Sequence, residues 1–178
     1  MQITQSFEIR ELSENDFINW KTLWTQYLEF YKTSVENLVY ETTFKRLISS
    51  NRLSQNAFVA EQENELLGLV HYIYHPHNWK IEDVCYLQDL FVLKTARGTG
   101  VGRALMEAVY LAADRNKTST VYWLTQDFNE QARELYDNIG ILTSFINITV
   151  INSLPTCLLN IIVIIINMIL GGIINGNA

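Results

Sequence analysis

Lys94-Thr95-Ala96-Arg97-Gly98-Thr99-Gly100-Val101-Gly102-Arg103 is the stretch on which the reading of this chain turns. The residues before it, Val84–Val92, are largely apolar and predict a buried strand. After it, Val101, Leu105, Ala108, Val109 and Ala112 recur at helical spacing and predict a helix from Val101 to about Asn116. Glycines at such a strand-to-helix junction let the backbone approach an anion and adopt φ angles closed to other residues. The unpaired N–H groups of the first helical turn, with the helix dipole behind them, then face that anion. Arg97 and Arg103 add charge at the rim. Two familiar phosphate loops do not fit. A P-loop needs Lys-Ser/Thr after its last glycine, where this chain has Arg103-Ala104; the dinucleotide fingerprint needs glycine at 103. A glycine-rich turn holding no ligand is the bland alternative. It leaves the helix-weakening cost of Gly98, Gly100 and Gly102 without a purpose.

Working outward, Phe7–Leu12 alternates apolar and polar residues and predicts a first strand. Ser13 with Asp16 three places on reads as a capping box opening a helix, whose apolar face is Phe17, Trp20, Trp24, Tyr27, Leu28 and Tyr31. That stripe is core, or in part the wall of a pocket. A second helix is expected over 35–49, with strands at Ala57–Glu61 and Leu66–Tyr74 around the polar turn Gln62-Glu63-Asn64. Beyond the glycine loop and its helix come a strand at Thr120–Leu124 and a short helix at Asn129–Ile139. The order β-α-α-β-β-β-α-β-α predicts a mixed α/β domain.

Bulk properties narrow the partners. A net charge of -6 opposes binding to a nucleic-acid backbone. Cys85 and Cys157 lie far apart without metal or disulfide spacing, and residues 1–7 lack a secretory pattern, so a reducing, cytoplasmic setting is expected. His71, His75 and His77 cluster near Pro76 with no convergent acid at ligand spacing; they read as packed or solvated side chains, and no metal is expected.

The stretch Tyr86–Tyr136, YLQDLFVLKTARGTGVGRALMEAVYLAADRNKTSTVYWLTQDFNEQARELY, resembles the core of the GNAT (Gcn5-related N-acetyltransferase) superfamily. Arg97, Gly100 and Gly102 fall on the defining positions of its Arg/Gln-x-x-Gly-x-Gly/Ala acyl-CoA loop. YLQDLFV, YWLTQ and the Asn-x-x-Ala-x-x-x-Tyr element are similar to the branch of diamine and yeast histone-and-polyamine acetyltransferases, and the likeness spans about residues 7 to 140. It implies a GNAT fold, a mixed and mostly antiparallel sheet flanked by helices, with acetyl-CoA as co-substrate. It implies acetyl transfer to a primary amine, whether a small amine, polyamine, amino acid or lysine side chain. The alternative is a GNAT-like protein that holds acyl-CoA with little or no turnover.

The resemblance also assigns residues. The backbone amides of Gly98, Thr99, Gly100, Val101, Gly102 and Arg103, with Arg97, would hold the pyrophosphate. The strand ending at Val92 and the strand at Thr120–Leu124 would splay to admit the pantetheine arm, with a backbone N–H near Phe91 and Val92 polarising the thioester carbonyl. Asn129 falls where this branch contacts its cofactor, or is a plain helix N-cap. Tyr136 is the expected proton donor to the departing thiolate, or a packed aromatic. An aliphatic amine has a pKa of about 10.4 and attacks only when neutral. Relatives carry a Glu-Asp pair where this chain has Gln88-Asp89, which makes Asp89 the candidate base or amine-binding group; Glu82 and Asp83 are alternatives, as is a structural role for Asp89.

The end of the chain is different in kind. All charged residues fall at or before Asp137, and Ile and Asn dominate thereafter. The expectation is an acetyltransferase domain over 1–143 and an uncharged apolar tail over 144–178 in place of the usual final strands. A span over 158–174 would just reach the lower limit for a membrane anchor, but Asn160 and Asn167 interrupt it and no basic residue flanks it. A terminal hairpin would show turn signals, which are missing. The preferred reading is a frameshift near residue 147, since A/T-rich DNA read out of frame yields Ile and Asn. A membrane is therefore not an expected partner, and a homodimer is left open. Sequencing the gene across codon 147 should show the displaced frame; an intact native frame there would overturn this reading.

Overall fold

Among the residues described by the computed structural model (7–50, 55–118 and 120–145), five strands form one sheet in the order β1-β2-β3-β4-β5. They are β1 (Glu8–Glu11), β2 (Gln55–Gln62), β3 (Glu65–His75), β4 (Val84–Val92) and β5 (Val121–Trp123). The first four pair antiparallel and β5 joins β4 in parallel, which is the mixed, mostly antiparallel sheet expected. Helices α1 (Phe17–Phe30), α2 (Asn37–Leu47), α3 (Val101–Arg115) and α4 (Glu130–Tyr136) complete this part of the chain. Contacts divide the chain into a unit of Met1–Ile139 and a unit of Gly140–Ala178. In the second, residues 140–145 form neither helix nor strand. The readings of the tail as anchor, hairpin or frameshift product, and of Cys157, lie outside the described residues.

Side-chain alternation sorts the sheet into two cores. Ala57, Val59, Leu69 and Phe91 pack with Trp20, Leu23, Trp24 and Leu28 of α1 and Tyr40, Phe44 and Leu47 of α2. Phe58, Ala60, Val70, Tyr72, Cys85 and Leu87 pack with Val101, Leu105, Met106, Val109 and Ala113 of α3. The stripe expected on α3 is thus shifted slightly: Met106 and Ala113 are fully buried, while Ala108 and Ala112 are half-buried at its margin. Burying apolar area at about 25 cal/mol per Å² on both faces is what fixes strand register, because a slip by one residue would exchange the faces.

One such exchange does occur, inside β4. Asp89 pairs with His71 and Leu87 with Tyr72, so Gln88 has no opposite number. This β-bulge inverts the parity of the strand. Cys85 and Leu87 face α3, whereas Asp89 and Phe91, also at odd positions, lie on the side of α1. Without the bulge all four would share one face.

The start of α1 is tied to the sheet edge. Ser13 N–H donates to Asp16 Oδ2 at 2.7 Å, as the capping-box reading requires, although a 3-10 turn over Glu14–Asp16 precedes the α-helix. Arg10 of β1 grips the Asp16 carboxylate with two nitrogens, at 2.7 and 2.8 Å, and also donates to Glu61 of β2. The β2–β3 connection runs through Glu63 and Asn64, both at positive φ, as a two-residue hairpin turn needs.

Gly68 marks the tightest approach between β3, β4 and α3. A Cβ there would lie 2.7 Å from the Phe91 carbonyl oxygen and 3.2 Å from Leu105 Cδ1. The obstructing oxygen is backbone, so the strand itself must move. Gly68→Ala is expected to destabilise the protein by about 1–3 kcal/mol, read as a lower urea midpoint.

Candidate active site

A cleft of about 490 Å³ opens where the β4–β5 ladder stops. Its three pairs are Cys85↔Val121, Tyr86↔Tyr122 and Leu87↔Trp123. β4 runs on to Val92 without a partner on that edge among the described residues, and Trp123, Leu124 and Thr125 form the opposite wall. The opening therefore begins at the bulge.

One end of the cleft is the glycine loop. Gly98 and Gly100 have φ of +77° and +93°, a region that favours glycine. Gly100 is the N-cap of α3, and the N–H groups of Val101, Gly102 and Arg103 have no intrahelical carbonyl to meet. A Cβ on Gly98 or Gly100 would meet nothing within 4 Å, so the concavity is open to a ligand. Arg97 Nε donates to Val92 O at 3.1 Å and its guanidinium lies over the Phe91 ring, which ties the loop to the end of β4. Thr99 Oγ1 donates to Ala96 O at 2.7 Å, closing the turn.

Of the residues singled out from the sequence, Phe91, Val92, Arg97, Gly98, Gly100, Gly102, Arg103, Asn129 and Tyr136 line this cleft. Val101 is a core residue of α3 that can offer only its backbone, and the Thr99 side chain turns back to the loop. Asn129 occupies the N-cap position of α4 but makes no side-chain cap bond; its amide reaches Thr125 Oγ1 at 3.4 Å and the Tyr31 hydroxyl. Tyr136 stacks obliquely on Trp123, ring centroids 5.4 Å apart. Burial, with Tyr31 and Tyr110 close by, pushes its phenol up to about 12, so its proton stays on at neutral pH. The alternative acids Glu82 and Asp83 lie outside the cleft.

Asp89 lies behind the cleft wall rather than on it. Its Oδ2 accepts from His71 Nδ1 at 2.8 Å and Trp24 Nε1 at 3.2 Å, and its carboxylate also meets the Tyr27 hydroxyl. Trp20 Nε1 donates to His71 Nε2 at 2.9 Å. An indole nitrogen only donates, so Nε2 accepts and Nδ1 carries the hydrogen that points at Asp89. Burial alone would raise the carboxyl's pKa, but the hydrogen bonds from His71, Tyr27 and Trp24 and the attraction of His71 outweigh it and hold Asp89 below the ordinary carboxylate range. His71 is thus packed, as read from the sequence, but its partnership with Asp89 was not legible there. The register that joins them is a property of strand pairing. His75 instead meets Tyr122 Oη at 2.9 Å and His77 the Trp79 N–H, so the three histidines go separate ways. Among the described residues no group of three or more His, Cys, Asp or Glu could hold a metal, and no helix is long and apolar enough to cross a membrane.

The pocket-wall reading of the α1 stripe applies to Tyr27 and Tyr31, to which the sequence assigned no individual role. Both line the cleft from α1, their rings edge-to-face at 5.0 Å. Their spacing of four had placed them on the helix's inner stripe, which was the available signal.

Comparisons with known proteins follow the same geometry. The profile of the acetyltransferase (GNAT) family matches residues 17–141. The D-amino-acid N-acetyltransferase HPA3 of Saccharomyces cerevisiae is 36% identical over 136 residues, covering 76% of this chain and 84% of that protein. A ribosomal-protein-alanine N-acetyltransferase from Brucella melitensis superposes with a TM-score of 0.71 at 18% identity, over 83% of this chain and all of that one. An aminoglycoside N-acetyltransferase in complex with CoA gives 0.71 at 16% identity, over 84% of this chain and 96% of that one. At these identities the two structures are similar in fold alone.

Because the folded pKa of Asp89 is depressed, its contribution to stability is complete above the unfolded value of about 3.9 and is lost as pH falls through the folded value. Acid unfolding followed by circular dichroism should therefore steepen below about pH 4. Asp89→Asn should flatten that limb while lowering stability at pH 7.

Proposed function

This chain belongs to the acetyltransferase (GNAT) family, and on that premise we propose that it transfers the acetyl group of acetyl-CoA to the primary amine of a small molecule. The observation that carries the reading is one cleft with the glycine loop at one end and the Tyr136 phenol on its wall. Loop geometry suits a diphosphate: two positive-φ glycines, three helix-start N–H groups, Arg97 and Arg103 at the rim, and no protein atom in the way. Bound there, acetyl-CoA would supply an activated thioester. The unpaired edge of β4 over Gln88–Val92 offers backbone groups to an extended arm, as a neighbouring strand would. N–H groups near Phe91 and Val92 are suited to bind a carbonyl oxygen that gains charge.

Acidity defines the part Tyr136 can play. With a pKa of about 12 it is roughly three orders of magnitude weaker as an acid than an ordinary thiol, whose pKa is about 8.5. Tyr136 would therefore offer a hydrogen bond to the departing sulfur, and a proton given up there would be replaced from water as the acceptor nitrogen loses its own. Asp89 acts as a positioning residue: it holds Tyr27 and does not touch the amine. The amine proton leaves to water in the open cleft. An amino acid is the acceptor class best supported, by the likeness to the yeast D-amino-acid N-acetyltransferase. Acyl-CoA binding without turnover is not favoured, since the Tyr136 hydroxyl lines the same cleft as the glycine loop and the chain is 36% identical to a D-amino-acid N-acetyltransferase. A cytoplasmic setting agrees with the free, buried Cys85 thiol, which burial pushes up to about 12.

An acceptor screen with free-thiol detection tests the proposal directly. Release of CoA thiol with D-amino acids or other primary amines is expected, and none with any amine would overturn it. Tyr136→Phe should lower kcat about a hundredfold or more and leave the calorimetric Kd for CoA within about twofold. Gly100→Ala, forced into a φ of +93°, should instead weaken CoA binding. Since the Tyr136 proton is retained, kcat/KM should rise with pH as the amine deprotonates, with no falling limb below about pH 10.

A further inference from the structure

Gln88 is the one exposed residue of β4; every other is buried or half-buried. As the extra residue of the bulge it has no opposite number in β3, and the β5 ladder ends one residue before it. It lines the cleft, and its side-chain amide makes no hydrogen bond among the described residues. Such an amide offers two N–H donors and one carbonyl acceptor, and carries no charge.

The cleft lacks negative charge on the stretch where an acceptor would lie. Among the described residues its charged lining consists of Arg97, Arg103 and Glu134. The two arginines belong to the glycine loop. Glu134 belongs to the same end, for it precedes Leu135 on α4, whose Cδ2 would stand 3.7 Å from a Cβ on Gly102. Asp89, the one acid of β4, is buried and already accepts from His71 Nδ1 at 2.8 Å and Trp24 Nε1 at 3.2 Å. Around the bulge the wall is Leu87, its ladder partner Trp123, and Leu124, all uncharged.

This distribution sorts acceptors by their charge. The attacking nitrogen must be neutral, so a monoamine brings no cation to the reaction. A diamine keeps a second ammonium, which the walls would strip of water with no anion to meet it. An amino acid carries a carboxylate instead, for which the Gln88 N–H groups are donors. At ~3.3 Å per residue, Gln88 lies about 10 Å along the strand from Phe91, where the thioester carbonyl would bind. It therefore meets the acceptor's far end rather than the reacting nitrogen.

We infer that Gln88 selects the acceptor: its neutral amide binds the carboxylate or carbonyl of a monoamine such as an amino acid, and the cleft discriminates against diamines and polyamines. The inference rests on the acetyl-transfer reading and names the residue that decides between acceptor classes.

The test titrates full-length protein loaded with CoA, by calorimetry, with D-alanine and with 1,4-diaminobutane. Wild type should bind D-alanine the more tightly. Gln88→Glu puts an anion of the same size in place of the amide. It should swing the ratio of the two affinities toward the diamine by about ten- to a hundredfold, as expected of a hydrogen bond to a charged group. The Kd for CoA should stay within about twofold, which separates a selective contact from general damage to the cleft. Gln88→Leu is a second arm, and should weaken D-alanine about tenfold with no gain for the diamine. Wild-type binding of 1,4-diaminobutane as tight as that of D-alanine would overturn the inference, as would a ratio unmoved in folded Gln88→Glu or D-alanine affinity untouched in Gln88→Leu. These affinities are read without turnover. A wild type that binds D-alanine selectively yet releases no CoA thiol with any amine would count against the proposed function and leave the selectivity of Gln88 standing.

Discussion

The extra residue at Gln88 is the constraint on which the rest of the site depends. By inverting the alternation of β4 it places Asp89 and Phe91 on the side of α1, while Cys85 and Leu87 still serve the core beneath α3. The ladder to β5 ends immediately before it, at Leu87↔Trp123. A single irregularity therefore both opens the edge along which an extended ligand can lie and delivers the carboxylate that organises α1's polar groups. A regular strand would keep Asp89 on the α3 face, away from Trp24, Tyr27 and His71.

The polar cluster around Asp89 is costly in isolation and stable only as a set. A buried carboxylate without partners loses several kcal/mol relative to water. Here three side-chain donors meet it, and the result is a carboxyl more acidic than usual despite its burial. The Tyr136 phenol shows the opposite balance. Burial and neighbouring phenols dominate there, and no positive group offsets them. The two acids are thus driven apart by their surroundings, one held as an anion and the other as a neutral phenol.

Much of this was legible before any coordinates. Val84–Val92 was bounded correctly as a strand, the loop from Arg97 to Arg103 was identified by its glycines, and the aromatic stripe of α1 was placed on the core face. Other helix and strand ends moved by one to three residues, the largest shift being α4, which ends at Tyr136 rather than Ile139. The bulge could not be read. Val-Cys-Tyr-Leu-Gln-Asp-Leu-Phe-Val carries apolar residues at both odd and even positions, so no change of face is visible in it. The His71–Asp89 pairing depends on that register, and the service of the Trp20 and Trp24 indole N–H groups follows from it. Packing, not local pattern, decides which end of an aromatic side chain is used. Tyr27 and Tyr31 stand in a stripe that reads as core or in part as pocket wall, because a helical stripe looks the same whether its last turn meets core or cleft.

The two sides of the sheet carry separate duties, and this has a consequence for how such a protein changes over time. The glycine loop is rooted in α3 and its core, whereas Tyr27 of the cleft wall is rooted in α1 and the opposite core. Mutational drift in α1 can therefore retune what is acetylated while the grip on the acyl donor stays as it was. A lineage built on this plan can diversify its substrates by exchanging a few side chains on one helix, with no need to reinvent its chemistry.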